Sequence, residues 1–246
     1  MRIIYGVNPV AEALRSPSGA VERIIFSESR QVPSGLMDAA KKKGVEIKKV
    51  PRRELDRLAG TVSHQGVAAV VRGEFRYKDL EDLTTAWKES GQRAFFLILD
   101  SIQDPQNLGS LIRASDAAGV HGIIIPKDRA CEVTPAVVKA SAGATEHARI
   151  AREVNISRAM DRLKEDNVWV VGIEAGGARD IYSVDLDMDL AIVVGSEGRG
   201  IRRLVREKCD LCVSIPMAGR LNSLNAAQAG AIAMFEARRQ RLEKPR

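Results

Sequence analysis

From Ala94 onward the chain alternates short, nearly unbroken apolar runs with stretches of helical periodicity, and this restricts the possible folds more than any other feature. The runs Phe95 to Leu99, Gly122 to Ile125, Val168 to Gly172, Leu190 to Val194 and Cys212 to Ile215 show little polar alternation. A strand with one wet face alternates; a strand buried on both faces does not. Between them lie Leu108 to Ala118, Pro135 to Ala144, Ser157 to Glu165, Ile201 to Lys208 and Ser223 to Gln240, each suited to a helix. Parallel strands need crossovers, and helical crossovers cover the sheet. The expected architecture is α/β, a mostly parallel sheet with helices on both faces.

The first 72 residues read as a smaller α/β domain. Asn8 and Pro9 suit the cap and first position of a helix reaching Arg15. Val21 to Phe26 and Val45 to Ile47 read as strands, Leu36 to Lys43 as a helix closed by Gly44, Arg53 to Leu58 as another helix, and Val67 to Val71 as a β-branched strand. The following stretch is charged, lacks a buried strand and reads as a linker with a short helix. The expected division is 1–72, a linker over 73–93, and 94–246.

Lys and Arg outnumber Asp and Glu by 38 to 32, and the resulting charge of +6 suits a polyanionic partner. Aromatic residues are only 4% of the chain, so base stacking is not expected to dominate such a contact. No apolar run reaches spanning length and none follows Met1, so a cytoplasmic protein with no membrane partner is expected. Three cysteines fit reduced thiols; Cys209 and Cys212 lack the further ligands of a zinc site and read as packing residues, with no metal expected. His121 and His147 read as structural, while His64, beside Gln65-Gly66, is the one placed to meet a ligand.

Three strand–loop–helix junctions carry the chemistry. After Leu99 comes a loop to Asn107, expected to cap a helix on which Arg113 shares its face. After Val194 comes Gly195-Ser196-Glu197-Gly198-Arg199-Gly200, where glycines admit a close ligand and Glu197 accepts hydrogen bonds. The third is Ile215-Pro216-Met217-Ala218-Gly219, then Ser223-Leu224-Asn225, with a helix expected from Ser223. Such junctions leave free N–H groups pointing at a polar ligand.

In this order and spacing the three segments resemble the motifs of the SpoU family of RNA ribose 2′-O-methyltransferases. Ile4-Tyr5-Gly6, Glu12-Ala13-Leu14 and His64-Gln65-Gly66-Val67 are similar to the L30e-like substrate-binding domain of its 23S rRNA guanosine-2′-O-methyltransferases, as are Asp116 to Gly122 and Pro126 to Arg129. The resemblance implies a deep trefoil knot in the C-terminal domain, an exception to unthreaded chains. It also implies S-adenosylmethionine as cofactor, a homodimer, and a large-subunit rRNA or its precursor particle as partner. Gly195, Ile215, Met217 and Leu224 would then touch the cofactor, and Asn107, Arg113, Glu197, Ser223 and Asn225 would surround the ribose and the methyl. A departure follows Asn225, where Ala226-Ala227-Gln228-Ala229-Gly230 leaves the family pattern and implies different packing of the last helix.

Within the family, a tRNA enzyme is disfavoured by the N-terminal domain, and an antibiotic-resistance rRNA enzyme shares that domain. Outside it stand a non-catalytic RNA-binding protein, which would not need all five polar residues, and a nicotinamide-dependent oxidoreductase, which would need a Gly-x-Gly-x-x-Gly run that is missing.

Overall fold

A computed structural model describes residues 1–17, 20–31 and 33–243. The chain divides into two compact units, Met1–Arg76 with Glu132–His147, and Tyr77–Cys131 with Ala148–Arg246.

The first unit is built on β1 (Arg2–Tyr5), α1 (Val7–Arg15), β2 (Val21–Ser27), α2 (Ser34–Lys42), β3 (Glu46–Val50), α3 (Arg52–Ala59) and β4 (Val67–Val71). The strands lie in the order β1-β4-β2-β3, with only β2 and β3 parallel. One face of the sheet packs Ile4, Ile24, Phe26, Val67 and Ala69 against Val10, Leu14 and Leu36; the other packs Ile25 and Ala68 on Leu55 of α3. The first helix starts earlier than Asn8 suggested, directly after Gly6, and has no side-chain cap.

The second unit begins with α4 (Leu80–Ser90), then β5 (Phe95–Asp100), α5 (Pro105–Ala118) and β6 (Gly122–Pro126). The chain next contributes α6 (Pro135–Ala140) to the first unit, where Val138 is buried in the core. It resumes with β7 (Ile150–Glu153), α7 (Ile156–Glu165), β8 (Trp169–Ile173), β9 (Arg179–Asp180), β10 (Leu190–Gly195), α8 (Arg203–Arg206), β11 (Leu211–Ser214) and α9 (Ala226–Glu243). The seven strands run β7-β6-β5-β10-β8-β11-β9, every pair parallel. The unalternating runs β5, β6 and β10 are buried along their whole length and occupy the interior, as two-faced burial requires.

Residues from α4, α7 and α8 share one core with Phe96, Ile98, Ala191 and Val193. The charged stretch expected as a linker therefore holds a core helix, because its apolar residues Leu80, Leu83 and Trp87 recur at helical spacing and are buried. Opposite, α5 and α9 pack together and α9 lies on β10. The small residues after Asn225 explain that closeness: a Cβ on Gly230 would lie 2.5 Å from Leu111 Cδ2 and 3.2 Å from Val194 Cγ2. Cys209 and Cys212 face Gly172 of β8, and burial beside Cys212 pushes the Cys209 thiol up to about 12, the state of a packing residue.

Candidate active site

All seven strands present their carboxyl ends along one edge, and β5 and β10 are neighbours whose connections depart in opposite directions, to β6 and to β11. That is where an open α/β sheet leaves a crevice for ligands.

The loop leaving β10 is fixed by main-chain crowding and by a buried carboxylate. Gly195 has no room for a side chain, since a Cβ would sit 2.2 Å from the Gly200 carbonyl carbon. Ser196 and Gly200 exchange backbone hydrogen bonds of 3.2 and 2.9 Å, closing a tight turn whose Gly198 and Gly200 have φ of 78° and 64°. Asp100, fully buried at the end of β5, accepts from the Arg202 backbone N–H at 2.7 Å, from Nε at 2.7 Å, and pairs with Nη2 at 2.6 Å. Glu197 is carried on this clamped turn.

Two amides meet Glu197. Asn107 Nδ2 donates to Glu197 Oε1 at 3.0 Å, and Asn225 Nδ2 donates both to Asn107 Oδ1 at 2.9 Å and to Glu197 Oε1. Asn225 Oδ1 accepts from the N–H groups of Ala227 (2.8 Å) and Gln228 (3.3 Å), so this side chain also caps α9. The helix starts at Ala226 rather than Ser223, and Ser223 stands in the preceding loop. Asn107 does not cap α5 either. Asp104 does, accepting from the Asn107 N–H at 2.8 Å, which leaves the Asn107 side chain free to reach Glu197.

Beside this triad opens a cavity of about 770 Å³ lined by Gly195, Glu197, Ile215, Met217, Ser223, Leu224 and Asn225. Ile173, Glu174, Val194, Ser196, Arg199 and Asn222 are among the other residues of its wall. From Met217 to Leu224 no main-chain group forms a hydrogen bond among the described residues, so donors and acceptors on this rim remain available. The sequence reading missed Ile173 and Glu174, although the end of β8 must lie beside that of β10 in a parallel sheet. It also missed the clamp of Asp100 and Arg202, which only the fold brings together.

Arg113 is the exception. Six residues beyond Asn107 correspond to a rotation of roughly 240° about the helix, so the two cannot share a face. Asn107 is buried, whereas Arg113 is exposed on a stripe with Gln106, Ser110 and Ala117 and has no hydrogen-bond or ion-pair partner among the described residues. It does not line the cavity. His64 is buried and bonded within its own unit, Nε2 to Asp56 Oδ1 at 2.6 Å and Nδ1 accepting from the Gly66 N–H at 3.0 Å. His121 Nδ1 accepts from the Phe95 N–H, and His147 pairs with Glu12, both structural contacts.

Residues 94–235 match the model of the SpoU rRNA Methylase family, and residues 3–76 match that for RNA 2′-O ribose methyltransferase substrate binding. A Bacillus subtilis (strain 168) chain that carries the name TrmH family tRNA/rRNA methyltransferase YacO is 44% identical over 243 residues, 97% of this chain and 95% of its own. The crystal structure of the SpoU methyltransferase AviRb from Streptomyces viridochromogenes, in complex with AdoMet, superposes with a TM-score of 0.79 at 27% identity, covering 98% of this chain and 91% of that one. An AdoMet-bound rRNA methyltransferase from Sinorhizobium meliloti superposes with a TM-score of 0.74 at 26% identity, covering 97% and 87%.

Proposed function

Because this chain belongs to the SpoU rRNA methylase family, we propose that it transfers a methyl group from S-adenosylmethionine to a ribose 2′-hydroxyl of large-subunit rRNA, a guanosine in the peptidyl-transferase region. The observation that carries the reading is the junction of Asn107, Glu197 and Asn225 at the mouth of the cavity. Pure binding has no need for three interlocked polar side chains at a switch-point crevice.

The cavity suits the cofactor. Its volume falls within the range of about 300–1,000 Å³ typical of small-molecule sites. Ile173, Val194, Ile215 and Leu224 give apolar walls, and the unengaged main chain from Met217 to Leu224 gives polar contacts for a nucleoside and an amino-acid moiety. Gly195, Ile215, Met217 and Leu224 would hold it. When bound, it supplies a methyl group activated by a sulfonium.

Transfer then needs the 2′-hydroxyl in line and its developing negative charge stabilised. Glu197 Oε1 is occupied by both amides, leaving Oε2 to accept from a ribose hydroxyl, with Ser223 beside it. Arg113 stabilises the alkoxide rather than removing the proton, because a guanidinium surrenders its own only above pH ~12. Since Arg113 lies off the wall of its own cavity, a second copy of the chain supplies it, which makes the active form a homodimer built through the knotted region. The knot is supported by the insertion of β10 between β5 and β8 and the return of α9 onto α5 and β10.

The first domain, which matches the substrate-binding model, favours rRNA over tRNA by the family resemblance. Calorimetry with S-adenosylmethionine and mapping of 2′-O-methyl positions in rRNA from cells lacking the protein test the proposal. Absence of cofactor binding, or an unchanged methylation map, would refute it. Arg113→Lys should lose most turnover; full activity would exclude the guanidinium role.

A further inference from the structure

The first unit contains a second pocket that the methyl-transfer reading leaves unused. It has a volume of about 310 Å³ and is lined by Ser27, Ser29, Arg30, Arg52, Ser63 and the turn His64-Gln65-Gly66. Resting on the RNA methyltransferase reading, we propose that this pocket seats a phosphodiester of the RNA backbone, held by Arg30, Arg52 and Lys139.

Two glycine turns build it. Gly6, at the end of β1, has φ of 100°, and a Cβ there would lie 2.7 Å from Lys139 Nζ and 3.2 Å from Gln65 Oε1. Gly66, entering β4, has φ of 75°, and a Cβ there would lie 2.5 Å from Arg30 Cδ. Each glycine thus makes room for a cationic side chain to lie across the main chain. Gln65 has φ of 55°, uncommon for a residue with a side chain, and its Oε1 accepts from the Val7 N–H at 3.1 Å, locking the two turns together. His64 fixes the same turn from below. With Nδ1 accepting from Gly66, the hydrogen-bonded ring carries its proton on Nε2, which donates to Asp56. His64 and Asp56 satisfy one another and leave the pocket mouth to the cations.

No carboxylate balances those cations. The side chains of Arg30, Arg52 and Lys139 have neither an ion pair nor a hydrogen bond among the described residues, although Lys139 is half-buried. Burial first, and then the neighbouring Arg30 charge, hold the Lys139 ammonium below the usual lysine range. Like charges gathered beside serine hydroxyls, with no counter-ion, lose their repulsion when an anion enters. Lys139 stands outside the pocket lining; it arrives on α6, the excursion from the second unit's sequence, over Gly6 and close enough to Arg30 to feel its charge.

The test uses the full chain with Arg30→Gln, Arg52→Gln and Lys139→Gln together, side chains of similar length that leave His64 and both glycines untouched. Binding to an rRNA fragment is followed from 50 to 200 mM salt, alongside calorimetry with S-adenosylmethionine. The three cations share one phosphate, so losing that contact should flatten the log–log salt slope by about 1. RNA affinity at the low-salt end should fall roughly 100-fold, and KM for RNA should rise with kcat nearly unchanged. Cofactor affinity should stay within twofold. A variant with wild-type affinity and slope overturns the site while leaving the methyltransferase reading intact. A wild-type protein that binds cofactor but no rRNA overturns the RNA reading, and this site with it.

Discussion

Asp100 and Arg202 form an unequal pair, and the inequality makes a sharp prediction. The carboxylate is wholly buried, while the guanidinium side chain is 45% exposed. Arg202→Gln strands a buried charge that keeps only the backbone N–H of residue 202 and a long 3.4 Å bond from Ser101 Oγ, and losing the partner of a buried charge costs about 3–5 kcal/mol. Asp100→Asn removes that charge instead, and Arg202 can turn its guanidinium to water. What remains is one mismatched donor facing an N–H and weakened charge-assisted bonds, about 2 kcal/mol. The arginine variant should therefore be the worse, even though arginine is the more exposed partner. The double variant should be milder than the sum, since neither charge is then left unpaired. At about 2–4 °C per kcal/mol for a chain of this size, Arg202→Gln should melt roughly 6–20 °C below wild type and Asp100→Asn roughly 4–8 °C below. Thermal melts with and without S-adenosylmethionine read both stability and site integrity. The clamp also holds the Glu197 turn, so the shift induced by cofactor should shrink in both variants. If Asp100→Asn were the more damaging, or if both kept the full cofactor shift, the clamp reasoning would be wrong.

Asn225→Asp keeps an oxygen for the α9 cap but sets a second carboxylate against Glu197. The cap is kept, as Asp caps as well as Asn, but two donated hydrogen bonds are lost, so melting should fall by about 1–3 kcal/mol equivalent, while single-turnover methyl transfer drops at least tenfold. Gly122→Ala would push a Cβ to 2.4 Å from Leu83 Cγ. That overpacking should cost about 1–3 kcal/mol in thermal or denaturant melts, whereas a loose linker would tolerate it. Hydrogen bonding from Arg239 chiefly, and from Gln240, holds the Glu236 carboxyl below its usual range against the opposing effect of burial. A lowered carboxyl pKa contributes stability that is present above its ordinary value and fades as pH falls through the folded one. Glu236→Gln should accordingly flatten the loss of melting temperature between pH 5 and 3, and an unchanged profile would exclude that role.

The sheet was legible because two-faced burial writes itself into composition. Phe95-Phe96-Leu97-Ile98-Leu99 and Leu190-Ala191-Ile192-Val193-Val194 leave no other reading, and both lie at the centre. What escaped were elements defined by their neighbours. Strand β7 reads Ile-Ala-Arg-Glu and β9 is two polar residues, so each exists only because an adjacent strand offers a ladder. The short helix expected over the charged stretch is α4, and what the sequence concealed was its buried side, because the charges occupy the solvent face of an amphipathic helix. At the site, motif order singled out seven residues that line one cavity, but local capping rules misassigned Asn107 and Ser223. An asparagine near a helix start has several uses, and Asp104, three residues earlier, was the better-placed cap.

Arg113 shows how far one chain can go toward its own chemistry. The turn that carries Glu197 and the helix starts that carry Asn107 and Asn225 all converge within a single protomer, because their strands are adjacent in one sheet. Arg113 is barred from that convergence by helix geometry, as its own helix buries Asn107, Leu111 and Ser115 against the fold. No rotamer change reverses a helix face. Arg113 does not line its own cavity, whose lining carries Arg199 instead, and the proposed homodimer, in which a second copy supplies Arg113, rests on the same rotation that exposes it. Under that proposal, cofactor binding belongs to each chain alone and turnover to the pair. The cavity wall and the cation thus stand under different physical controls: main-chain crowding at Gly195 and the Asp100 clamp for one, association of two copies for the other.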